Sequence, residues 1–477
     1  MNLNKLFLRL INSAIAMTWG SFLARAINII VLLPLILSSF SSQQTSIWFL
    51  FLTIFSILQL ADIGFTQSFS RAISFAMGGA SEIKDLRTIK VSPQQASMPN
   101  IDLVSKLYGS MKRIYLCLAL LSFILITVLG TWSLIKPIND LDIKEAAWIS
   151  WGIILVSAPI YIYGILYTTY LMGTNNIALI KRWDIITNIC SVLGGCLIIL
   201  ANGGLLMLVI NNQFWLIIIV IRNSLLCRKH QLRNKVNHIS QFNWNIFHQI
   251  WPSSWRSAIG IIMSYGIVQF SGIYYAQFEN SQEVASYLLA LRIITILSDF
   301  SRVPYYSKLP LLAILRARNE FKEQLTVASK GMILSYWILV ISIIIIALTS
   351  DFFIGLINSQ SPFVSRCLWI TMGIGVFLER YGAMHIQLYS TTNHIIWHKA
   401  NGISGLIYIG FVIIAFNELG VFVFPVAQIV SNLAFYSWYS AHYSLKSFEL
   451  NFFTFEKKVA IPPALVLFIF GIYIWFM

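Results

Sequence analysis

Residues 47–77 read IWFLFLTIFSILQLADIGFTQSFSRAISFAM, an apolar run long enough to cross a bilayer that nevertheless carries an acid, Asp62, and a base, Arg71. A membrane-spanning helix needs about 20 mostly apolar residues. Runs of the same kind recur in both directions from this one, at 11–37, 114–135, 147–172, 183–200, 205–225, 252–278, 284–312, 325–348, 363–389, 395–416, 421–442 and 459–476. Only Asn202-Gly203-Gly204 divides the fifth run from the sixth. With 57% of 477 residues apolar, about 13 spans of about 20 residues use up nearly all of them. The expected fold is therefore all-α and polytopic, with about 12–13 transmembrane helices.

This composition excludes an ordinary soluble enzyme. Disorder is excluded as well, since 14% aromatic and 11% charged residues reverse the polar, charge-rich disordered composition. The net charge of +15, from 33 basic and 18 acidic residues, belongs to loops facing the cytoplasm. The bases are scattered between apolar runs and form no stripe interleaved with base-stacking aromatics, so no nucleic-acid partner is expected. Cys117, Cys190, Cys196, Cys227 and Cys367 show neither CxxC nor zinc spacing and read as packing residues. The run at 11–37 is too long for a signal-peptide core and reads as a retained span.

Basic residues alternate from loop to loop. Lys84, Arg87, Lys90, Lys106, Lys112 and Arg113 share one loop, Arg228, Lys229, Arg233 and Lys235 another, and Arg316, Arg318 and Lys322 a third. The intervening loops are short and hold Asp140, Asp142, Glu145, Glu279 and Glu283, with only Lys136 and Lys144 as bases. This asymmetry places the N-terminus in the cytoplasm. The opening residues 1–10 alternate basic and apolar positions, which suits either an interfacial helix or a tail with two topogenic charges. Residues 227–251 form the natural midpoint linker. It separates an N-terminal lobe, 1–226 with six spans, from a C-terminal lobe, 252–445 with six more, and 446–477 adds a further span.

The halves echo each other. Arg25 and Arg71 lie 46 residues apart, as do Arg256 and Arg302, and a shift of 231 places Phe69-Ser70-Arg71 on Phe300-Ser301-Arg302. Such repeats are common in transporters.

Ionisable groups within the hydrocarbon mark function by default. Arg25, Arg71, Arg256, Arg292 and Arg302 are the candidate lining of a cationic cavity, because a guanidinium stays charged and offers forked donors to phosphate oxygens. The bland reading stands beside this one: Asp62 and Arg25 neutralise each other, Asp299 pairs with Arg302, and residues near the inner ends snorkel. Asp62 and Glu379 are candidate carriers of a coupling proton or sodium ion. Asp140-Leu141-Asp142 is formally DxD, but its loop is too short for an active site. His394 and His398 have metal-pair spacing without a third ligand. Tyr161, Tyr163, Tyr167 and Tyr170 suit sugar stacking or bundle packing equally. With no P-loop, nucleophile elbow or Ser/Cys–His arrangement, neither an enzyme nor a cofactor is expected.

Leu60-Ala61-Asp62-Ile63-Gly64-Phe65, then Phe69-Ser70-Arg71-Ala72-Ile73-Ser74 and Ala76-Met77-Gly78-Gly79-Ala80, resemble the Wzx-like O-antigen flippases, the polysaccharide-transporter branch of the multidrug/oligosaccharidyl-lipid/polysaccharide superfamily. The resemblance implies a V-shaped, two-lobed bundle. It also implies alternating-access transport of an undecaprenyl-pyrophosphate-linked oligosaccharide from the inner to the outer leaflet of a bacterial inner membrane, with the pyrophosphate in a cationic cavity that suits Arg25 and Arg256 best. Expected partners are this lipid-linked oligosaccharide, membrane lipids, and a polysaccharide polymerase with its chain-length machinery. The rivals are a multidrug or small-molecule antiporter of the same superfamily, in which buried acids should dominate, and a membrane glycan polymerase or glycosyltransferase, which needs larger external loops.

Overall fold

The computed structural model describes residues 17, 20, 21, 23, 24, 27, 31–62, 64–79, 99–141, 144–233, 235, 236, 241–392, 394 and 396–476. Among these every regular element is helical. In chain order they are α1 (Leu33–Ser39), α2 (Ser42–Leu58), α3 (Phe65–Met77), α4 (Ile101–Asn139), α5 (Lys144–Gly173), α6 (Ile177–Leu200), α7 (Leu205–Arg233), α8 (Trp244–Tyr275), α9 (Ser281–Ser301), α10 (Leu309–Ala317), α11 (Phe321–Ile357), α12 (Arg366–Ser390), α13 (Trp397–Leu419), α14 (423–446), α15 (Phe452–Glu456) and α16 (Ile461–Phe476).

Every predicted span from the second onward falls on helix, the second on α2 and α3 and the eighth on α9 and α10, and most of the first lies outside the described residues. Nine helical runs among the described residues are long and apolar enough to cross a membrane. The difference from the expected 12–13 has local causes. α12 carries Glu379, Arg380 and His385 and is too polar to qualify on composition, and α16 has only 16 residues. Residues 397–446 form a single helical run of 50 residues that is really two helices. Phe416 and Phe424 lie eight positions apart, about 12 Å along a straight helix, yet their ring centroids are 6.1 Å apart. The chain reverses between them at Gly420, whose φ of 52° and ψ of −134° a side chain would resist. Asn202-Gly203-Gly204 does separate the fifth and sixth spans, as α6 and α7.

The second span departs from its expected form. It starts at a capping box, in which Ser41 Oγ accepts from the Gln44 amide at 3.2 Å and the Ser41 amide donates to Gln44 Oε1 at 3.3 Å. It does not run unbroken to Met77: α2 tightens into a 3₁₀ turn at Gln59–Asp62, Gly64 takes a left-handed φ of 68°, and α3 begins anew at Phe65.

The chain divides into two compact units, Met1–Ala258 and Ile259–Met477, with the boundary inside α8. In the first, Trp151 is buried against Phe51 and its indole N–H donates to Thr131 Oγ1 at 2.9 Å. In the second, Trp369 plays the same part, donating to the Ile343 carbonyl at 3.0 Å. Large apolar side chains point outward from both units, among them Leu197 at 68% exposure and Ile414 at 82%. Apolar surface on this scale is what a bilayer covers, and the chain is a multi-pass membrane protein.

Candidate functional site

The break in the second span builds a polar interior in the first unit. The Thr66 amide donates to both Asp62 carboxylate oxygens, at 3.2 and 3.1 Å, which caps α3. Thr66 Oγ1 donates to Asp62 Oδ1 at 2.9 Å, and Tyr115 from α4 donates to the same oxygen at 2.8 Å. Thr169 from α5 lies 3.1 Å from Thr66 Oγ1 and 3.2 Å from the Tyr115 hydroxyl. Three chain segments therefore converge on a single carboxylate. No base among the described residues is within ion-pair distance of it. Arg25, the expected counter-charge, lies outside the described residues.

Gly64 also brings the break against α8. A methyl group at its Cα would stand 2.7 Å from Ser257 Cβ and 3.0 Å from the Ser254 carbonyl. Phe65 packs on Trp251, their ring centroids 6.0 Å apart. Farther along α3, Arg71 donates from Nη2 to Ser253 Oγ at 3.3 Å and from Nε to the Gln67 carbonyl at 3.2 Å. Ser253 and Arg256 are neighbours one turn apart on α8, so Arg71 ends at the stretch of helix that carries Arg256. Arg256 is half-buried, with its guanidinium 5.7 Å from the Trp255 ring. Neither arginine has an acid within ion-pair distance among the described residues.

The remaining sequence candidates lie in the second unit. Arg302 pairs with Asp299 at 3.1 Å, as their three-residue spacing led one to expect, and its guanidinium lies 5.8 Å from the Tyr306 ring. Arg292 is exposed on α9. Glu379 lies 3.8 Å from Arg380, a residue the sequence reading passed over. Arg380 is buried at 4% exposure and donates to both the carbonyl and the hydroxyl of Ser298. Its signal was its neighbour: an arginine beside a named intramembrane acid is that acid's first counter-ion. Arg222 and Asp184 were missed for another reason. They join α7 to α6 at 2.8 Å, with Arg222 also donating to Thr187 and Asn223, and 38 residues separate them in sequence.

Of the four α5 tyrosines, Tyr161 packs on Phe55 and Tyr170 is buried against Tyr108 and His230. Tyr163 and Tyr167 line an apolar recess of about 530 Å³ with Leu116, Leu120, Pro159 and Val220. His394 stacks on Tyr389. The Asp140 carbonyl accepts from Gln43 Nε2 at 2.9 Å, and Asp142 lies outside the described residues.

Neither a protein-family model nor a curated protein matches the sequence. Solved structures do. An inward-facing multidrug resistance MATE family transporter of the MOP superfamily aligns with a TM-score of 0.65 at 11% identity, over 89% of this chain and 94% of the other. The lipid II flippase MurJ, in an inward closed conformation, gives 0.65 at 14% identity over 95% and 91%. A MOP superfamily transporter from Pyrococcus furiosus, described as having a binding pocket of reverse polarity, gives 0.58 at 13% over 92% and 98%. The polytopic helical fold of this chain is the one these MOP superfamily transporters share.

Proposed function

We propose that this protein is a flippase that moves an undecaprenyl-pyrophosphate-linked oligosaccharide from the cytoplasmic to the periplasmic leaflet of a bacterial inner membrane, with its N-terminus in the cytoplasm. One observation carries the reading: Arg71 reaches Ser253, one turn from Arg256 on α8, and both arginines have only neutral partners among the described residues, whereas Arg222, Arg302 and Arg380 each face an acid. Positive charge with no acid to compensate it attracts an anion, and forked guanidinium donors match a pyrophosphate. Carrying such a head group through hydrocarbon unaided strips its hydration at large cost, so a polar route beside lipid is what a flippase must provide. Arg25, Arg292 and Arg302 stay in this reading as further candidate ligands of the anion, Arg302 the weakest because Asp299 already neutralises it. Asp62 is the carboxylate that couples transport to an ion, ahead of the Arg380-paired Glu379. A polysaccharide polymerase and its chain-length machinery would take up the product.

The likeness to a lipid II flippase supports a lipid-linked cargo. The multidrug transporter neighbours favour the second reading, a small-molecule antiporter. Deleting the gene and measuring lipid-linked oligosaccharide in each leaflet decides between them. Completed units stranded on the cytoplasmic leaflet, with surface glycan lost, support the flippase; unchanged lipid and glycan pools turn the reading to the antiporter.

A further inference from the structure

The apolar recess of the first unit lies among three helices, with α5 packed against both α4 and α7. α5 contributes Pro159, Tyr163 and Tyr167, α4 contributes Leu116, and α7 contributes Val220 and Ser224. Its volume of about 530 Å³ is that of a ligand site, about 300–1,000 Å³. From Pro159 to Tyr167 it runs about 12 Å along the helix. One leaflet of a bilayer is about 15 Å of hydrocarbon deep, so the recess matches the length of a single lipid chain.

The two ends of the recess differ. At one end α4 and α7 close together, with the Tyr108 hydroxyl 4.0 Å from Cys227 Sγ. Lys112 is half-buried there, its ammonium 5.3 Å from the centroid of the Tyr108 ring, and it lies one turn from Leu116 on the same face of α4. Arg228 stands one turn beyond Ser224 on α7 and is exposed. In the other direction Leu120, Ile124 and Val128 repeat every fourth residue along α4, at 57%, 58% and 61% exposure. No lining residue is an acid or a base. The three helices hold only two acids, Asp102, which pairs with Lys106 at 2.6 Å, and Glu145 at the opposite end of α5.

We propose that this recess seats one acyl chain of a phospholipid with an anionic head group, whose phosphate meets Lys112 and Arg228. Any apolar helix face in a bilayer is covered by lipid chains. A base at the end of this one adds a choice of head group, as basic pockets between membrane helices do. A zwitterionic lipid brings a cation of its own to the same end and gains less. In the orientation proposed above, the Lys112 end faces the cytoplasm and the lipid belongs to the inner leaflet. The site itself rests on the chain's place in a membrane and not on the flippase reading.

The test uses the full-length protein in mild detergent, titrated with phosphatidylglycerol or with phosphatidylcholine of the same chains. Native mass spectrometry counts the bound lipids, and thermal unfolding is followed in parallel. The expected result is one phosphatidylglycerol held more tightly than phosphatidylcholine, with a saturable rise in Tm. Lys112→Gln is expected to weaken that first phosphatidylglycerol about fivefold and to leave phosphatidylcholine unchanged. Ser224→Phe fills the recess and is expected to remove the first lipid of either kind. Equal affinity of the parent for the two lipids, or unchanged phosphatidylglycerol binding in either variant, overturns the proposal. Displacement of phosphatidylglycerol by an equal concentration of polyprenyl phosphate overturns it in favour of a prenyl chain, and a dimer that phosphatidylglycerol dissociates overturns it in favour of a second copy.

Discussion

His385 Nε2 on α12 stands 3.0 Å from Glu456 Oε1 on α15, with the two side chains 0% and 1% exposed. The Tyr381 hydroxyl donates to the same Glu456 oxygen at 3.3 Å, and Phe455 packs on the imidazole. A buried polar cluster thus pins the segment ahead of α16 to the middle of the second unit, beside the exposed Lys457 and Lys458.

Replacing Glu456 by alanine leaves His385 and Tyr381 facing a void, with a penalty of about 1–3 kcal/mol for each buried polar group left without a partner. Trypsin cleavage at Lys457 and Lys458 should accelerate as α15 loosens. Glu456→Gln keeps an acceptor for Tyr381 and is expected to stay closer to the parent, and the two time courses measured side by side check the order.

Gly64→Ala meets two penalties at once. A left-handed φ of 68° costs an L-residue about 1–2 kcal/mol, and the new methyl group collides with Ser257, an overpacking cost of about 1–3 kcal/mol. A Tm well below the parent is expected, together with impaired transport. An unchanged Tm would mean that α3 and α8 are not in contact here.

Arg71 is exposed, so Arg71→Ala should change stability by no more than about 0.5 kcal/mol. Flipping in vesicles should nevertheless fall by about tenfold or more, the worth of a charge-assisted hydrogen bond to phosphate. Arg71→Lys keeps the charge without the fork and should lie between the two. Arg256→Ala should behave in the same way, and full transport by both alanine variants would remove the pair from the mechanism.

Arg222 and Asp184 predict the opposite pattern. Asp184→Leu alone strands Arg222 between α6 and α7 and should cost about 3 kcal/mol, Arg222→Leu should cost less because Lys181 also pairs with Asp184 at 3.4 Å, and the double leucine variant should recover part of the larger loss. Thermal unfolding of the four proteins forms a double-mutant cycle, and additive losses would show the pair to be uncoupled.

The spans were legible because about 20 apolar residues in a row have few other uses, and Asp62 and Arg71 were legible because charge is conspicuous in such a run. The break between them was not. Its cause is the φ of a single glycine and a carboxylate turned back onto Thr66, and hydropathy registers neither. The helical spacing of Asp299 and Arg302 was readable because both lie on one local segment. Tyr115, Thr169, Asp184 with Arg222, and His385 with Glu456 acquire their roles from partners on other helices, and no local period records a contact of that kind. Arg380 was overlooked although Glu379 beside it was named, since adjacent residues on a helix point in different directions and only packing reveals which of them faces inward.

The contact of Gly64 with α8 limits the ways in which the second span can move. With Gly64 lying against Ser257 and the Ser254 carbonyl, the two segments cannot approach further, and α3 cannot slide along α8 without driving Phe65 past Trp251. What remains open is rotation about the point of contact, so the break acts as a fulcrum rather than a slideway. A tilt there displaces each residue of α3 in proportion to its distance from Gly64, and Arg71, about two turns along, is carried with it.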